Sequence, residues 1–456
     1  MEKNLWGGVF SDVKMDKKIK KFIDSFSFDR IMYKENFDIT LSHAIALSKI
    51  KIIEKDDIKK IIKFRKKILE DVAKSKDDEF EDVHSAIEFF ITKIVGEETG
   101  YNLRLGRSRN EEVITTTNLW ILRNSNELNN VFKEVSSSMI ECAENNFGKI
   151  IPLFTHTRQA QPILFSHLIL SHHEGFIRCL ERFRDCLKRL DVCHLGSGAG
   201  AGTGIELDVE LMAKLLGFSR ISQNSIDSTS RRDMLSELIF CFSTISSLFS
   251  KISDDLILLS SEKFGFVQIS DKLCTGSSMM PQKKNPDTLE VIRSKFAKFI
   301  GYLNSMITLE KGLISGYSKD LQEDKRILFQ AFQEILDTSV VIVEVFKNIE
   351  AKESEIQNYT LATDLAEKLV LLKNIPYRKS HKLVGEKLKQ GEKIEDINFK
   401  ESLKIKKTPQ STNPKAVKKQ IQSHSQRASS IFREIEKILE KFQESEFARR
   451  IQGYIR

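Results

Sequence analysis

Residues 233–260 read DMLSELIFCFSTISSLFSKISDDLILLS, and this stretch decides the fold class. Its apolar residues recur at three- and four-residue steps, the period of one face of a helix. They cover a face too broad for a helix at a protein surface: Leu235, Leu238, Ile239, Phe242, Ile245, Leu248, Phe249, Ile252, Leu256 and Leu259. The pattern therefore predicts one long helix over residues 233–260, buried in a helical bundle.

Three further segments repeat the helical pattern. Residues 163–193 and 324–349 each carry an apolar stripe at helical spacing. Residues 286–307 follow a start signal, in which Asn285 suits the N-cap and Pro286 the first helical position. Four long helices, with no comparable strand pattern beside them, predict an all-α protein.

Length and composition limit the class of protein. A chain of 456 residues predicts two to four domains at roughly 100 to 200 residues each. Its 40% hydrophobic and 30% charged residues exclude intrinsic disorder and a small disulfide scaffold. Only 7 prolines interrupt the chain, which favours long helices.

Charge, cysteines and the N-terminus predict the cellular setting. The net charge of +8 is too diffuse for the basic face of a nucleic-acid binder, and the C-terminal lysines are explained by a solvated surface. The six cysteines include no C-x-x-C pair, which favours reduced thiols. No signal-peptide region starts the chain, and no run approaches the ~18 apolar residues that span a bilayer. We expect a soluble, cytoplasmic protein.

Three polar clusters lie in loops between the predicted helices, where scaffolds present functional groups. Residues 106–110 read GRSRN, whose arginines suit carboxylates or form a solvated turn. Residues 155–162 read THTRQAQP, and their histidine suits proton transfer or a structural role. Residues 275–287 read TGSSMMPQKKNPD, either a cationic site ahead of a helix or a solvated loop. Glycine-rich residues 196–204 lack the ending of a P-loop.

Together these clusters carry a resemblance to a known family. The pattern G-S-S-x-M-P-x-K-x-N within residues 275–287 resembles the signature of the fumarase/aspartase superfamily. The fuller motifs resemble its argininosuccinate lyase family, and they stand in the order of that family. They are LWGGVF at 5–10, EDVH at 81–84, GRSRN at 106–110, THTRQAQP at 155–162, LGSGAGAGT at 195–203, GSSMMPQKKNPD at 276–287 and DLQEDK at 320–325.

The resemblance implies an almost wholly helical, three-domain fold. Its central long-helix bundle forms a 20-helix core in a homotetramer, and each active site takes regions from three subunits. We assign residues 1–105 to an N-terminal helical domain, 106–362 to the central bundle and 363–456 to a small C-terminal helical domain. A monomer is then expected to be inactive.

The resemblance also implies the reaction, which is reversible anti elimination of argininosuccinate to arginine and fumarate through an aci-carboxylate carbanion. By motif, Ser277 is the expected base and Lys283 the cation that stabilises the added charge. His156 is the expected acid or the group that orients it, and Glu290 is expected to hold its imidazole.

Substrate-binding residues are carried over in the same way. The N-terminal contacts are Ser25 and Asp29. The groups expected to bind the fumarate-side carboxylates are Ser108, Arg109, Asn110, Thr155 and Asn285. The groups expected to bind the arginine end are Tyr317, Gln322 and Lys325. The role of His84 stays open between a structural and a supporting one. Acids and histidines lack metal-ligand spacing, and neither a metal nor a cofactor is expected.

The chain departs from the family pattern beside these motifs. The usual D-Q-V-A-T-D after the first cluster is replaced by EEVITT at 111–116, and the order of Arg158 and Gln159 is reversed. Arg231 stands where an aspartate is usual. These departures leave open a lyase acting on another N-substituted aspartate. Two alternatives rest on other grounds: a catalytically silent structural relative, and nucleic-acid binding through the C-terminal lysines, which a solvated surface explains more simply.

Overall fold

A computed structural model describes residues 15–455 of the chain, so the LWGGVF motif at 5–10 lies outside the described residues. The described chain is mostly helical. Its helices are α1 Lys17–Ile23, α2 Phe26–Asp29, α3 Tyr33–Lys49, α4 Lys55–Lys63, α5 Arg65–Lys74, α6 Val83–Val95, α7 Glu97–Asn102, α8 Arg109–Asn145, α9 Phe165–Leu190, α10 Val209–Leu216, α11 Ser225–Ser230, α12 Asp233–Ser260, α13 Asp287–Glu310, α14 Asp324–Lys347, α15 Ala362–Lys373, α16 Tyr377–Lys389, α17 Phe399–Ile405, α18 Pro414–Leu439 and α19 Glu444–Ile455.

In residues 15–455, six short strands form three two-stranded antiparallel ladders. Each ladder fastens a loop to the helical scaffold rather than building a layer of its own. The pairs are β1 Ile150–Thr155 with β2 Arg158–Leu164, β3 Val267–Ile269 with β6 Ile349–Ala351, and β4 Thr275–Gly276 with β5 Lys284–Asn285. The predicted all-α class is confirmed.

A bundle of long helices forms the centre of the molecule. Helices α8, α9, α12, α13, α14 and α18 pack against one another around a continuous apolar core. Stacked and edge-on rings fill that core, among them Phe132 against Phe176 and Phe183, and Phe242 against Phe332. Such ring pairs add to the free energy gained by burying apolar area.

The four predicted long helices are all present. Helix α12 has the predicted bounds, and α9 and α14 end within three residues of theirs. The predicted start of α13 is wrong by one residue, because Pro286 is the N-cap and Asp287 the first helical residue. Asn285 cannot cap this helix, since its backbone pairs with Thr275 in the β4–β5 ladder.

The C-terminal part of the chain divides between two cores. A small second core joins α15 and α16 through Leu365, Ala366 and Val384. Helix α18 instead packs on α8 and α9 and belongs to the main core. The second core therefore contains only the first part of residues 363–456, as far as Phe399, together with Leu361.

Several large apolar side chains on the bundle face solvent in the single chain. They lie on α12, α13 and α14 and are Phe240, Val291, Ile300, Ile307, Val340 and Val341. Isolated apolar residues at a surface are ordinary, but a set spread along three adjoining helices is typical of an interface. In residues 15–455, α12 alone is long and apolar enough to span a membrane, which is weak evidence because buried core helices pass the same test.

Candidate active site

A cavity of about 160 Å³ gathers seven of the predicted substrate-binding residues. We call it the N-terminal cavity. Those seven are Ser25, Asp29, Arg109, Asn110, Tyr317, Gln322 and Lys325. Glu81, Asp82, His84 and Lys319 complete its polar lining. Sequence positions that are up to 300 residues apart therefore meet at one site.

Ser25 and Asp29 form the N-terminal wall of the cavity. Ser25 Oγ donates to Asp29 Oδ2 at 2.6 Å, and the backbone N–H of Val83 donates to Asp29 Oδ1 at 3.0 Å. Burial, together with the charge of Asp82, raises the pKa of Asp29 to about 6. Asp29 is therefore an ionised acceptor at neutral pH that gains a proton in mildly acidic solution.

This pKa leads to a prediction for substrate binding. The Michaelis constant for a substrate whose ammonium group pairs with Asp29 should rise as the pH falls through about 6, because the protonated carboxyl loses its charge. Steady-state kinetics between pH 5 and 8 would measure the effect. Asp29→Asn should raise the constant at pH 8 and remove its dependence near pH 6; an unchanged pH profile in that variant would exclude Asp29 as the titrating group.

Arg109 begins helix α8 and faces two carboxylates. Its Nη1 lies 3.0 Å from Glu81 Oε2 and 3.1 Å from Asp82 Oδ2, whereas Nη2 is buried without a hydrogen-bond partner among the described residues. Because Nη1 is already engaged, the predicted contact of Arg109 with a substrate carboxylate would be made through Nη2. Glu81 also bonds Ser25 through its backbone, so it joins the walls of the cavity.

Lys325 is buried at the opposite wall. Its Nζ lies 3.0 Å from Asp324 Oδ1, and Asp324 Oδ2 accepts from Arg232 Nε at 2.7 Å. These charges hold the pKa of Asp324 below its ordinary value, although burial alone would raise it. Arg231, which stands where an aspartate is usual, is exposed. It therefore lies outside the buried group of Lys325, Asp324 and Arg232.

Ser108 and Glu111 form a capping box at the start of α8. Ser108 Oγ accepts the N–H of Asn110, and Glu111 Oε1 accepts the N–H of Ser108, both at 3.2 Å. Glu111 Oε2 also accepts the N–H of Gly198 at 2.6 Å, which fastens the glycine-rich turn to this helix. Burial raises the pKa of Glu111 to about 7.

Ser277 lies in a second region, on a loop of residues 277–283 that we call the serine loop. The β4–β5 ladder closes this loop at its base. Ser277 Oγ accepts the backbone N–H groups of Met279 at 3.2 Å and of Met280 at 3.0 Å. Two such donors favour negative charge on this oxygen, as a serine acting as a base requires.

The two lysines of the serine loop region differ in their surroundings. Lys284 Nζ donates to Ile269 O at 2.5 Å and to Asp271 Oδ1 at 2.6 Å, so it anchors the ladder. Lys283 is exposed and its ammonium group has no partner among the described residues. Lys283, Asn285 and Glu290 line a second cavity, of about 840 Å³, at the foot of the loop.

His156 lies in a third region, at the tip of the β1–β2 hairpin. His156 and Thr157 form a two-residue turn with φ values of 50° and 59°. Positive φ is unfavourable for the β-branched Thr157, and such strained residues cluster at functional sites. Thr155 and His156 are exposed. Gln159 fastens the hairpin by accepting the N–H of Gln357 at 2.8 Å.

The three regions do not meet within one chain. In residues 15–455, no hydrogen bond or ion pair joins His156 to Glu290, or either of them to Ser277 or to the N-terminal cavity. The expected contact between His156 and Glu290 is thus not made inside the single chain. The same described residues hold no cluster of three or more His, Cys, Asp or Glu side chains that could bind a metal ion.

Part of the cavity lining was not predicted from the sequence. Glu81 and Asp82 were noticed only within the EDVH motif, and Lys319 not at all. The available signal was two adjacent carboxylates within a family motif, in a chain that also carries an arginine pair at 107 and 109. The partners of Glu112 were not predictable, because they come from α3, from α6 and from the loop before α8.

Comparison with known proteins gives concordant results. A family model described as Lyase matches residues 10–301, and one described as Argininosuccinate lyase C-terminal matches residues 359–440. The chain is 39% identical over 411 residues to argininosuccinate lyase of Sulfurihydrogenibium sp., covering 88% of this chain and 89% of the relative. It is 35% identical over 452 residues to argininosuccinate lyase of Campylobacter jejuni, covering 92% and 98%.

Solved structures share the fold at lower sequence identity. EDDS lyase in complex with formate has a TM-score of 0.82 at 19% identity and covers 98% of this chain and 97% of its own. Class II fumarase from Schistosoma mansoni has a TM-score of 0.68 at 16% identity, with coverage of 86% and 89%. At these identities the likeness establishes the shared architecture alone.

Proposed function

The chain belongs to the argininosuccinate lyase family, and on that premise we propose that it cleaves argininosuccinate to arginine and fumarate in a site shared by several copies of the chain. Family membership makes the protein a carbon–nitrogen lyase. The observation that carries the proposal is the N-terminal cavity. Its carboxylate Asp29 and its ammonium group Lys325 match the opposite charges of an amino-acid end.

The elimination needs a base, an acid and a cation. Ser277 takes the proton from Cβ of the succinyl part, and the electron pair left on carbon is spread onto the neighbouring carboxylate. Lys283 stabilises this added charge. The pair then forms the carbon–carbon double bond of fumarate as the Cα–N bond breaks, and the departing guanidinium nitrogen receives a proton from the acid.

His156 supplies that proton or orients the group that does. Its position at an exposed hairpin tip supports a role toward a neighbouring copy rather than its own chain. Glu290, exposed on α13, is the proposed partner of the imidazole across the same interface. Ser108, Asn110, Thr155 and Asn285 are the proposed groups for the fumarate-side carboxylates.

A homotetramer with a 20-helix core would bring these regions together. Two observations support it: the separation of the three regions within one chain, and the exposed apolar residues on α12, α13 and α14. Closed symmetric assembly lets one chain lend its serine loop to the cavity of another. We propose a cytoplasmic location for this assembly.

Release of fumarate tests the proposed substrate. Purified protein should release ultraviolet-absorbing fumarate from argininosuccinate and none from adenylosuccinate, malate or aspartate. Activity on a different N-substituted aspartate would favour the alternative lyase. A folded assembly without any turnover would favour the structural relative.

Mixing two inactive variants tests the shared site. Ser277→Ala and Lys325→Met should each be inactive alone, because each removes one part from every site. If the parts come from different chains, randomly mixed tetramers should recover activity in about a quarter of their sites. Co-expression with two affinity tags would yield the mixed assemblies; their complete inactivity would place both parts of each site in one chain.

A further inference from the structure

One wall of the N-terminal cavity is formed by a residue without an assigned role, His84. Its side chain is 3% exposed, and Nδ1 is directed at two buried groups. Asn36 Nδ2 lies 2.5 Å from Nδ1, and Glu112 Oε1 lies 3.3 Å from it. No hydrogen bond of the described residues involves Nε2, which leaves this nitrogen for the cavity.

Glu112 determines how Asn36 is oriented. It is fully buried and its carboxylate faces Arg104 at 3.5 Å and Arg107 at 3.6 Å. Burial alone would raise its pKa, but the charges of Arg107 and Arg104 help to hold the pKa well below the ordinary value, so the group is a carboxylate. It accepts one N–H of Asn36 at 2.9 Å.

The second N–H of Asn36 is then directed at His84 Nδ1. An imidazole nitrogen that accepts a hydrogen bond carries no hydrogen, and a neutral ring then carries its hydrogen on Nε2. Asp29 and Asp82 also line the cavity, and their carboxylates are acceptors for a donor on that side of the ring. The contact of Nδ1 with the amide nitrogen of Asn36 is therefore the one that assigns the ring hydrogen to Nε2.

We propose that His84 is a further substrate-binding residue, which donates its Nε2–H to the carboxylate at the arginine end of the substrate, and that Asn36 and Glu112 are its positioning residues. The assignment rests on the proposed function. The cavity already offers Asp29 to the ammonium group and Lys325 to the carboxylate of that end. His84 supplies a further N–H donor beside them, which adds a directional hydrogen bond.

Two substitutions of His84 distinguish a residue that binds substrate from one that only holds Asn36 and Glu112 in place. His84→Gln keeps an amide donor near the place of Nε2, whereas His84→Asn keeps polar atoms only near Nδ1. Inhibition by the products gives the readout, with arginine reporting the arginine end and fumarate the other. We expect His84→Asn to raise the inhibition constant of arginine roughly 10- to 100-fold, His84→Gln to raise it much less, and neither to change that of fumarate.

A larger increase of the arginine constant in His84→Gln than in His84→Asn would overturn the proposal. A residue that only holds Asn36 and Glu112 in place uses the atom at the Nδ1 position, which asparagine keeps and glutamine does not. Glu112→Gln provides a second measurement if His84→Asn does not fold. It should raise the arginine constant about fivefold through loss of ring orientation, with the fumarate constant unchanged. Equal changes in both constants, or none, would contradict the assigned roles.

The proposed function can fail separately from this inference. Absence of argininosuccinate cleavage by the wild-type protein would refute the function. Titration calorimetry with arginine on the wild-type, His84→Asn and His84→Gln proteins would still measure whether His84 binds a carboxylate in the cavity. Equal arginine affinities in all three proteins would refute the binding role of His84, whichever reaction the protein catalyses.

Discussion

Ser277→Ala is expected to lower kcat by about a thousandfold, within the range that general base catalysis contributes in enzymes. The variant removes the proposed base and leaves the N-terminal cavity intact. The assembly and most of the arginine affinity should therefore be retained. Steady-state fumarate release, together with arginine binding by calorimetry, would measure the two effects separately.

Thr275 provides a matched control for this experiment. Its hydroxyl group lies on the same loop region but bonds Asp287 instead of facing the backbone donors of Met279 and Met280. Thr275→Val should therefore change kcat far less than Ser277→Ala. Retained turnover above about a hundredth of the wild-type rate in Ser277→Ala would remove Ser277 as the base.

Lys283→Met is expected to lower kcat roughly 10²- to 10³-fold and to raise the Michaelis constant as well. Loss of one preorganised group that stabilises charge in the transition state has an effect of this size. Lys283 is suited to this role because its ammonium group has no partner among the described residues and is free to meet substrate. Lys284, by contrast, is already engaged with Asp271.

Lys263→Met is the matched control for loss of positive charge near the loop. Lys263 lines the same 840 Å³ cavity as Lys283, but it precedes β3 rather than the serine loop. Its substitution should leave both kinetic constants close to wild type. If Lys283→Met changed the Michaelis constant alone, Lys283 would be a binding residue that does not stabilise the carbanion.

The bounds of a helix were predicted well where its apolar residues recur along its whole length. Helix α12 was placed at its observed bounds, because a buried helix shows its apolar residues on nearly every turn. The start of α13 was misplaced, because the pairing of Asn285 with Thr275 is a contact outside the helix. The packing of α18 on α8 and α9 was not predictable, since a packing partner leaves no mark in a local pattern.

In the candidate site, only the residues that match family patterns were predicted. Asp29, Tyr317 and Lys325 were expected to hold substrate, and the N-terminal cavity contains all three. Their supports were not predictable: Asp324 gains its role from Arg232, and Glu112 from Asn36 and His84. These contacts join distant segments, and a single sequence shows residue types without showing which of them meet.

The β4–β5 ladder has a consequence for the entropy of substrate binding. Ordering a flexible segment on a ligand costs conformational entropy for every residue that becomes fixed. The ladder already holds the two ends of the serine loop together, and Lys284 ties its base to Ile269 and Asp271. Joining the two ends of a loop reduces the number of conformations that binding can restrict, so more of the interaction energy with substrate is left to appear as affinity.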